Sequence, residues 1–352
     1  MQIAAVGRAF PPHYADQESL IAAFRAAWRD RYHNAARIEQ LHRSVLVGGR
    51  HLALPVGDYL RLRGFTEAND AFVRVGTDVG AAAVRDALAA AGLTPRDVDA
   101  IWFTSVTGIA APSIDARLVN RLGLRPDIKR TPIFGLGCVA GAAGISRVAD
   151  YLAGHPDDVA ILLSVELCSL TIQREDLSIP NLIATGLFGD GAACVVMVGA
   201  NRAAKLAAAG PRVVAARSVF YPDTEGVMGW RIGESGFQIV LSSEVPDVVR
   251  RHLKGDTDAF LADNGLSYSD IAAWIAHPGG PKVLQAMEDV FPLPPGALAR
   301  TWTSLREVGN LSSASVLLVL RDTLADPPPP GAYGLMLAMG PGFCSELVLL
   351  RW

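Results

Sequence analysis

Two separate stretches of this chain each have a similar stretch later in the sequence. The number of residues between the two members is almost the same for both pairs. Residues 88–104 align with residues 261–277, and residues 137–153 align with residues 309–325. In each copy the second stretch is followed by an apolar run that is typical of a strand. Two independent matches that share one offset predict that the chain folds as two copies of one unit.

Short β-like runs alternate with helical patterns along both copies, which indicates an α/β protein. Strands are predicted at 99–106, 158–166, 192–199, 272–279, 332–340 and 345–352. Helices are predicted at 78–92, 245–265 and 281–291. A polar junction at 201–212 separates the copies, so we divide the chain into an N-terminal half, 1–210, and a C-terminal half, 211–352.

The composition predicts a large buried core and excludes several classes of protein. Half of the 352 residues are apolar, and the net charge of −3 gives no electropositive face for nucleic acid. No segment has the roughly 18 consecutive apolar residues that would suggest a membrane span. The first residues lack the basic and apolar regions of a signal peptide. We therefore expect a cytoplasmic protein without stable membrane insertion.

The spacing of the four cysteines is not typical of a metal site or of a disulfide framework. Cys138, Cys168, Cys194 and Cys344 each lie in an apolar or small-residue segment. Cysteines in such segments are typically reduced thiols of a cytosolic protein. The chain also has no glycine-rich phosphate loop, and we expect neither a metal nor a bound cofactor.

Cys138 follows Gly-Leu-Gly and precedes a helix made almost wholly of small residues. The N-terminal end of a helix stabilises a thiolate. In the alignment of the two copies, Cys138 is aligned with Asn310. Thr104 is aligned with His277, and each of these two lies at the end of an apolar strand. If the copies pack about a twofold axis, these elements converge. The duplication therefore predicts one shared site that contains Cys138, His277 and Asn310.

These three residue types can serve two different chemistries. An imidazole can hold a thiolate as a thiolate–imidazolium pair, and an asparagine N–H can stabilise an oxyanion. A cysteine protease would use the histidine as general base and the asparagine as its orienter. A carbon–carbon bond-forming acyltransferase would load an acyl group on the cysteine and stabilise an enolate with the other two. The small residues of both helices favour a buried tunnel for a thin acyl chain, and hence the acyltransferase.

With these residues in place, the chain resembles the thiolase-fold condensing enzymes, and most closely the type III polyketide synthases of the chalcone synthase-like family. The motifs are spread over the chain and comprise GCVAGAAG at Cys138, LFGDGAA at 187–193, AHPGGPKVL at His277, EVGNLSSASVL at Asn310 and the terminal GPGFCSELVLL. The resemblance implies a thiolase-like α/β fold in which the two duplicated units pack as five layers (αβαβα). It also implies a homodimer.

The resemblance implies a role for each residue of the site. Cys138 would be acylated by a starter acyl-CoA, and His277 and Asn310 would decarboxylate malonyl-CoA and hold the enolate that attacks the Cys138 thioester. Phe188 would lie between the CoA tunnel and the reaction cavity. The substrates would be acyl-CoA and malonyl-CoA, with no additional cofactor.

The residues expected to line the cavity differ from those of the plant enzymes. A second gatekeeping phenylalanine of the plant enzymes aligns with Ile239, and a methionine that crosses their dimer aligns with Ala111. Thr107 and Cys168 are further small or medium residues expected in the lining. Small lining residues would open a tunnel for a medium or long acyl starter, and 165–191 resembles alkylpyrone and alkylresorcinol synthases. We therefore expect an alkylpyrone or alkylresorcinol product.

Two arginines are candidates to bind the phosphates of CoA. Arg43 and Arg50 lie in LHRSVLVGGRHLALP, and guanidinium groups bind phosphates strongly. Arg50 could instead form a structural pair with an acidic neighbour.

Three other functions remain open at this stage. A tetrahydroxynaphthalene-type synthase would use malonyl-CoA as its own starter, and a β-ketoacyl synthase would stop after one condensation. A non-catalytic scaffold of the same fold is the third, although scaffolds of this kind would be expected to lose a residue of the triad, and all three are present.

Overall fold

A computed structural model of the chain describes residues 1–29, 34–206 and 210–352. The strands are β1 (Gln2–Ala9), β2 (His13–Asp16), β3 (Gly49–Leu52), β4 (Ala100–Thr104), β5 (Lys129–Ile133), β6 (Val159–Leu167), β7 (Asp190–Val198), β8 (Arg212–Phe220), β9 (Met228–Gly233), β10 (Gly236–Leu241), β11 (Ile271–Ala276), β12 (Tyr333–Gly340) and β13 (Cys344–Arg351). The helices are α1 (Gln17–Ala27), α2 (Ala35–Ser44), α3 (Phe65–Ala90), α4 (Ile114–Leu122), α5 (Ala140–Gly154), α6 (Ile179–Leu187), α7 (Ala200–Leu206), α8 (Val245–Val248), α9 (Lys254–Asp263), α10 (Pro281–Val290), α11 (Ala299–Val308) and α12 (Ser315–Ala325).

The main sheet is continuous but consists of two parts. Its strand order is β11-β12-β13-β8-β1-β7-β6-β4-β5. Among the described residues, β1 and β8 are paired through Gln2 and Arg212 alone, so the N-terminal strands form one part and the C-terminal strands the other. In the N-terminal part β4 runs parallel to both β5 and β6, as strands joined by crossover helices do.

Helices fill the space between the two parts of the sheet and cover their outer faces. The central layer is formed by α5 and α12, which contact strands of both parts, and α3 covers β1, β6 and β7 from outside. On the far side α9, α10 and α11 pack on the C-terminal strands through a buried apolar cluster. This arrangement confirms the predicted five-layer thiolase-like fold.

The duplication is visible in the backbone of the two copies. Gly92 and Gly265, which the sequence alignment pairs, end their helices with φ angles of 65° and 68°. Each is followed by a short turn closed by a capping box, at 94–97 and at 267–270. These turns lead into β4 and β11, so the repeated sequence encodes the same helix–turn–strand unit twice.

The alignment of Cys138 with Asn310, by contrast, is wrong by three residues. Gly137 and Ser312 have left-handed φ angles of 57° and 47°, and each opens a 3₁₀ turn that leads into α5 or α12. The structural counterpart of Cys138 is therefore Ser313, and Asn310 precedes the turn. The sequence comparison shifted here because both segments consist of small residues, whose order carries little information about register.

All six predicted strands are present, with ends that differ by a few residues at most. The helix predicted at 78–92 is the end of the much longer α3, and the helix predicted at 245–265 comprises α8, a π-helical turn and α9. The elements that the sequence prediction missed include β1 and β8 of the main sheet, the short strands β2, β3, β9 and β10, and the helices α1, α2, α4, α6 and α11. Part of the predicted junction, 207–209, lies outside the described residues, and the domain boundary beside it stays a prediction.

The described helices do not include one that is long and apolar enough to cross a membrane.

Gly141→Ala is expected to destabilise the protein, because the added Cβ would lie 2.3 Å from the carbonyl oxygen of Ser313 on the facing segment. Overpacking of this kind costs about 1–3 kcal/mol. The matched control is Gly154→Ala on the same helix, where nothing lies within 4 Å of the added Cβ. Thermal unfolding measures both variants, and equal melting temperatures would show that α5 and α12 are not closely packed.

Candidate active site

Cys138 lies at the start of α5, buried between the two halves of the protein. Its thiol donates a hydrogen bond to Ser312 Oγ at 3.6 Å. The glycine before it is needed for two reasons. Gly137 has a left-handed φ angle, and a Cβ there would lie 2.6 Å from Pro341 Cδ in the C-terminal loop. The Gly-Leu-Gly sequence therefore lets that loop close directly over the cysteine turn.

Asn310 is held by hydrogen bonds on its backbone and on its side chain. Its backbone N–H donates to Leu187 O at 2.9 Å, and its carbonyl oxygen accepts from Gly189 N at 3.0 Å. Its side-chain Oδ1 accepts from Ser312 N at 2.8 Å, and Nδ2 donates to Gly279 O at 3.3 Å. The two backbone bonds fix the position of the residue, and the two side-chain bonds fix the orientation of its amide group.

His277 follows β11, where its backbone N–H donates to Leu337 O of β12 at 2.9 Å. The ring is buried, and neither Nδ1 nor Nε2 has a hydrogen-bond partner among the described residues. An unsatisfied buried polar group costs about 1–3 kcal/mol, which a hydrogen bond to a bound ligand would recover. The two ring nitrogens are therefore well suited to contact a substrate.

The segment around Asn310 brings the three predicted catalytic residues to one place. Ser312 contacts the thiol of Cys138, and the amide of Asn310 contacts Gly279, two residues after His277. The two copies of the duplicated unit thus meet at this segment.

Burial opposes a charge on either reactive side chain. It raises the pKa of the Cys138 thiol to about 12, an effect that the Ser312 hydrogen bond reduces and nearby Glu166 increases. It lowers the pKa of His277 to about 3. The thiolate–imidazolium pair expected from the sequence therefore depends on the mutual attraction of the two charges, because each charge alone is disfavoured.

Glu166, which the sequence analysis missed, joins the two halves beneath the site. Its carboxylate accepts from Thr107 Oγ1 at 2.9 Å, from Val106 N at 3.1 Å, from Ser105 Oγ at 3.3 Å and from Ser313 Oγ. Burial raises the pKa of this carboxyl group, and the hydrogen bonds counteract it. The available signal was a lone carboxylate at the end of the apolar run AILLSVE.

A cavity of about 510 Å³ is connected to the candidate site through Phe188, although Cys138, His277 and Asn310 themselves do not line it. Phe188, whose backbone pairs with Asn310, forms part of its wall together with Cys168 and Ile239. Two other residues expected in the lining do not reach it. Thr107 is engaged by Glu166, and Ala111 lies in an exposed loop after β4.

The far end of the cavity is a feature that the sequence analysis did not predict. Side chains of α1, including Ala23, Phe24 and Trp28, line it on one side. Its rim includes Val56 and Leu60, which are 37% and 57% exposed. We call this part, between α1 and the rim, the apolar arm of the cavity.

The two arginines expected to bind CoA lie in different environments. Arg43 is exposed and forms ion pairs with Glu18 and Glu39, both at 3.0 Å. Arg50 is buried in the cavity wall, where its hydrogen bonds go to Gln17 and to backbone carbonyls. Arg50 thus has internal partners, although not the acidic one considered from the sequence, and the CoA contacts of both residues stay predictions.

All four cysteines are free thiols. Within the part of the chain that the structure describes, no cluster of His, Cys, Asp and Glu side chains is suited to hold a metal ion.

Comparison with known proteins identifies the family. Residues 1–202 match the N-terminal domain of chalcone and stilbene synthases, and residues 212–352 match the C-terminal domain. The chain belongs to this family. It is a type III polyketide synthase, an acyltransferase that condenses malonyl-CoA.

Individual relatives agree with this assignment. The chain is 54% identical to the 1,3,6,8-tetrahydroxynaphthalene synthase of Streptomyces peucetius subsp. caesius, over 99% of this chain and 93% of the relative. It is 36% identical to a putative chalcone synthase of Bacillus subtilis strain 168, over 99% of this chain and 98% of the relative. The crystal structure of 1,3,6,8-tetrahydroxynaphthalene synthase from Streptomyces coelicolor A3(2) matches with a TM-score of 0.93 at 30% identity and covers 100% of this chain and 99% of that chain.

His277→Ala is expected to raise the pH at which Cys138 of this polyketide synthase reacts with iodoacetamide. An adjacent imidazolium lowers a thiol pKa, and without it burial alone acts and raises that pKa. A shift of one pKa unit, about 1.4 kcal/mol, would slow alkylation about ten-fold at neutral pH. Alkylation rates measured against pH test this, with His155→Ala beyond the other end of α5 as control. Identical pH profiles for His277→Ala and the unmodified protein would contradict a thiolate–imidazolium pair.

Proposed function

We propose that this enzyme is a 1,3,6,8-tetrahydroxynaphthalene-type synthase that uses malonyl-CoA both as starter and as extender. The observation that carries the proposal is the 54% identity with the Streptomyces peucetius enzyme over 99% of the chain. The proposal replaces the alkylpyrone or alkylresorcinol product that we expected from the small lining residues.

The first step would load the starter on Cys138. The thiolate attacks the thioester carbonyl of malonyl-CoA, the new carbon–sulfur bond forms as the bond to the CoA sulfur breaks, and the departing CoA thiolate takes the proton of the His277 imidazolium. Once the sulfur is acylated its negative charge is gone, and burial then favours the neutral imidazole of His277. The site would therefore enter the next step with a neutral histidine that can donate one N–H.

The second step would be decarboxylation and condensation of an extender malonyl-CoA. The carbon–carbon bond to its carboxylate breaks, carbon dioxide leaves, and the enolate oxygen accepts hydrogen bonds from His277 and Asn310. The enolate carbon then attacks the thioester carbonyl on Cys138, and the cysteine sulfur leaves. Preorganised donors of this kind are worth about 3 kcal/mol each at the transition state. The unsatisfied ring nitrogens of His277 support this role.

The aromatic part of the cavity wall fits a planar, cyclising chain. Phe188 and Trp230 both contribute to it, with ring centroids 6.5 Å apart, and Ile239 adds a branched side chain. Aromatic walls stack on flat conjugated groups and limit the room for a chain that stays extended. A naphthalene-type product is compatible with such a surface.

Incubation with malonyl-CoA alone tests the proposal. We expect mass spectrometry to detect tetrahydroxynaphthalene with the unmodified protein and no product with Cys138→Ala, because the mutant lacks the group that carries the chain. The control is intact folding of the mutant by circular dichroism. Failure to form a product from malonyl-CoA alone, with alkylpyrones formed from acyl-CoA starters, would overturn the choice of starter but not the family.

The apolar arm supports a second candidate function, which is the use of a medium- or long-chain acyl-CoA starter. Ala23 and Phe24 line the arm, and Leu60 exposes apolar surface at its rim. An alkyl chain that entered the arm would be stabilised by about 25 cal/mol for each Å² of apolar surface that it buries. Such a chain would leave the wall near Phe188 free for the polyketide.

Ala23→Phe is expected to block the arm and reduce products from dodecanoyl-CoA, while products from malonyl-CoA alone stay unchanged. The added ring would fill space that the alkyl chain needs. Ala22→Phe is the matched control, because Ala22 is on the same helix but does not line the cavity. Equal loss of both products, or no loss of either, would show that acyl starters do not use the arm.

We also propose that two copies assemble through the edge of the sheet at β5. Four of its five residues are exposed, and nearby Phe134 and Ile109 are 54% and 43% exposed. Proteins generally cover an exposed edge strand, and a second copy could do so here. Light scattering after size exclusion should give the mass of a dimer, and Phe134→Glu should lower it. A monomer at micromolar concentration would contradict the proposal.

A further inference from the structure

The C-terminal turn of α6 connects the wall of the cavity with Asn310 of the candidate active site. Phe188, the next residue, lines the cavity, and Leu187 O accepts the backbone N–H of Asn310 at 2.9 Å. The last four carbonyl groups of a helix have no partner within the helix, so other groups must satisfy and orient them. Whatever holds this turn therefore also holds Phe188 and Asn310.

Arg50 and Gln17 hold the turn from inside the protein. Arg50 Nη1 donates to Gly186 O at 2.8 Å, and Nη2 donates to Thr185 O. Gln17 Nε2 donates to the same Gly186 O at 3.1 Å, and its Oε1 accepts from Arg50 Nη1 at 2.6 Å. The two side chains thus form one hydrogen-bonded clamp on the two middle carbonyls of the turn.

The other two carbonyls of the turn complete the set. Ala184 O accepts from the backbone N–H of Phe188 at 3.0 Å, and Leu187 O accepts from Asn310. All four terminal carbonyls of α6 therefore have partners, and two of those partners are backbone groups of the site itself. A change in the clamp would be transmitted to Phe188 and Asn310 through the turn.

The surroundings of Arg50 indicate that the C-terminal end of α6 stabilises its charge. Arg50 is 2% exposed, and among the described residues no carboxylate oxygen forms a hydrogen bond or an ion pair with it. Burial lowers its pKa to about 10, and the charge of Asp190 counteracts this, so the guanidinium is still protonated at neutral pH. A buried cation without an ion pair is costly. The partial negative charge at a helix C-terminus offsets part of that cost.

The position of Cys138 is linked to this clamp only indirectly, through Ser312, whose N–H donates to Asn310 Oδ1. The cysteine is held by the packing of α5 against α12, where Gly141 faces the Ser313 carbonyl, and by the contact of its thiol with Ser312. Loss of the clamp should therefore disturb Asn310 far more than Cys138.

We propose that Arg50 is a positioning residue for the decarboxylation of malonyl-CoA, which acts by clamping the C-terminal turn of α6 and thereby orienting Asn310 and Phe188. The inference rests on the proposed function, because it requires Asn310 to stabilise the enolate. Gly189 gives a further indication of how closely Arg50 packs on this segment, since a Cβ added there would lie 3.1 Å from Arg50 Cβ.

The test compares two reactions of Arg50→Met in the full chain, each expressed per folded molecule. Formation of acetyl-CoA from malonyl-CoA reports decarboxylation, and alkylation by iodoacetamide reports Cys138. We expect kcat for decarboxylation to fall up to about 10²-fold, the effect of a misplacement of about 1 Å. Alkylation should stay within about three-fold of the unmodified protein, because the packing of α5 against α12 holds the backbone of Cys138. Arg50→Lys keeps the charge but lacks the planar guanidinium that donates to both carbonyl oxygens. It should therefore recover only part of the lost decarboxylation activity.

Arg125→Met is the matched control for a merely structural effect. Arg125 is paired with Asp99 and Asp127 near β5, away from α6. Its loss should lower the melting temperature and leave both reactions unchanged per folded molecule. If Arg50→Met behaves in the same way, or if both of its reactions fall together, the positioning role is wrong.

Gln17→Met keeps the proposal testable if Arg50→Met does not fold. It removes one bond to Gly186 and the acceptor for Arg50 but leaves the cation in place, so a smaller loss of decarboxylation with unchanged alkylation is expected. Unchanged decarboxylation would overturn the proposal. Asn310→Ala separates this question from the proposed function, because full decarboxylation by Asn310→Ala would refute the role of the site itself, whatever the result for Arg50.

Discussion

The close approach of α5 and α12 at Gly141 is the constraint on which the rest of the structure depends. A glycine there lets the backbone of one helix meet the Ser313 carbonyl of the other copy, without a side chain between them. The two 3₁₀ turns that open these helices are thereby brought together, and Cys138 meets Ser312. The positions of the nucleophile and of the segment that carries Asn310 thus follow from one helix–helix contact, which also explains why α5 begins with small residues.

Around this contact the protein keeps some polar groups satisfied and leaves others free. Glu166 receives hydrogen bonds from both halves, and Arg50 is satisfied by Gln17 and the end of α6. The ring nitrogens of His277, in contrast, have no partner within the described residues. Rigid, satisfied groups hold the site in shape, and the free donors and acceptors are left where a thioester oxygen would bind. The chemistry of a type III polyketide synthase needs both the rigid surroundings and the unpaired donors and acceptors.

Sequence reasoning was reliable where one pattern is repeated and unreliable where residues are interchangeable. Gly92 and Gly265 aligned correctly, because a left-handed helix end followed by a capping box requires specific residue types. The match of Cys138 to Asn310 failed, because runs of small residues fit one another in several registers. Thr107 and Ala111 were expected in the cavity from their position in the family alignment and from their size, and neither determines which way a side chain points.

The sequence by itself determined the duplicated α/β fold, the family and the three residues of the candidate site, because local turn chemistry, apolar periodicity and short motifs are written in consecutive residues. Only the tertiary structure decided that Ser313 is the counterpart of Cys138, that Glu166 joins the halves, and that Arg50 clamps α6 rather than an acidic neighbour. It also decided where the cavity extends, since the arm is lined by α1 and by residues far from it in sequence. The physical reason is that buried polar groups choose their partners by position in space, and that position is set by the packing of all layers together.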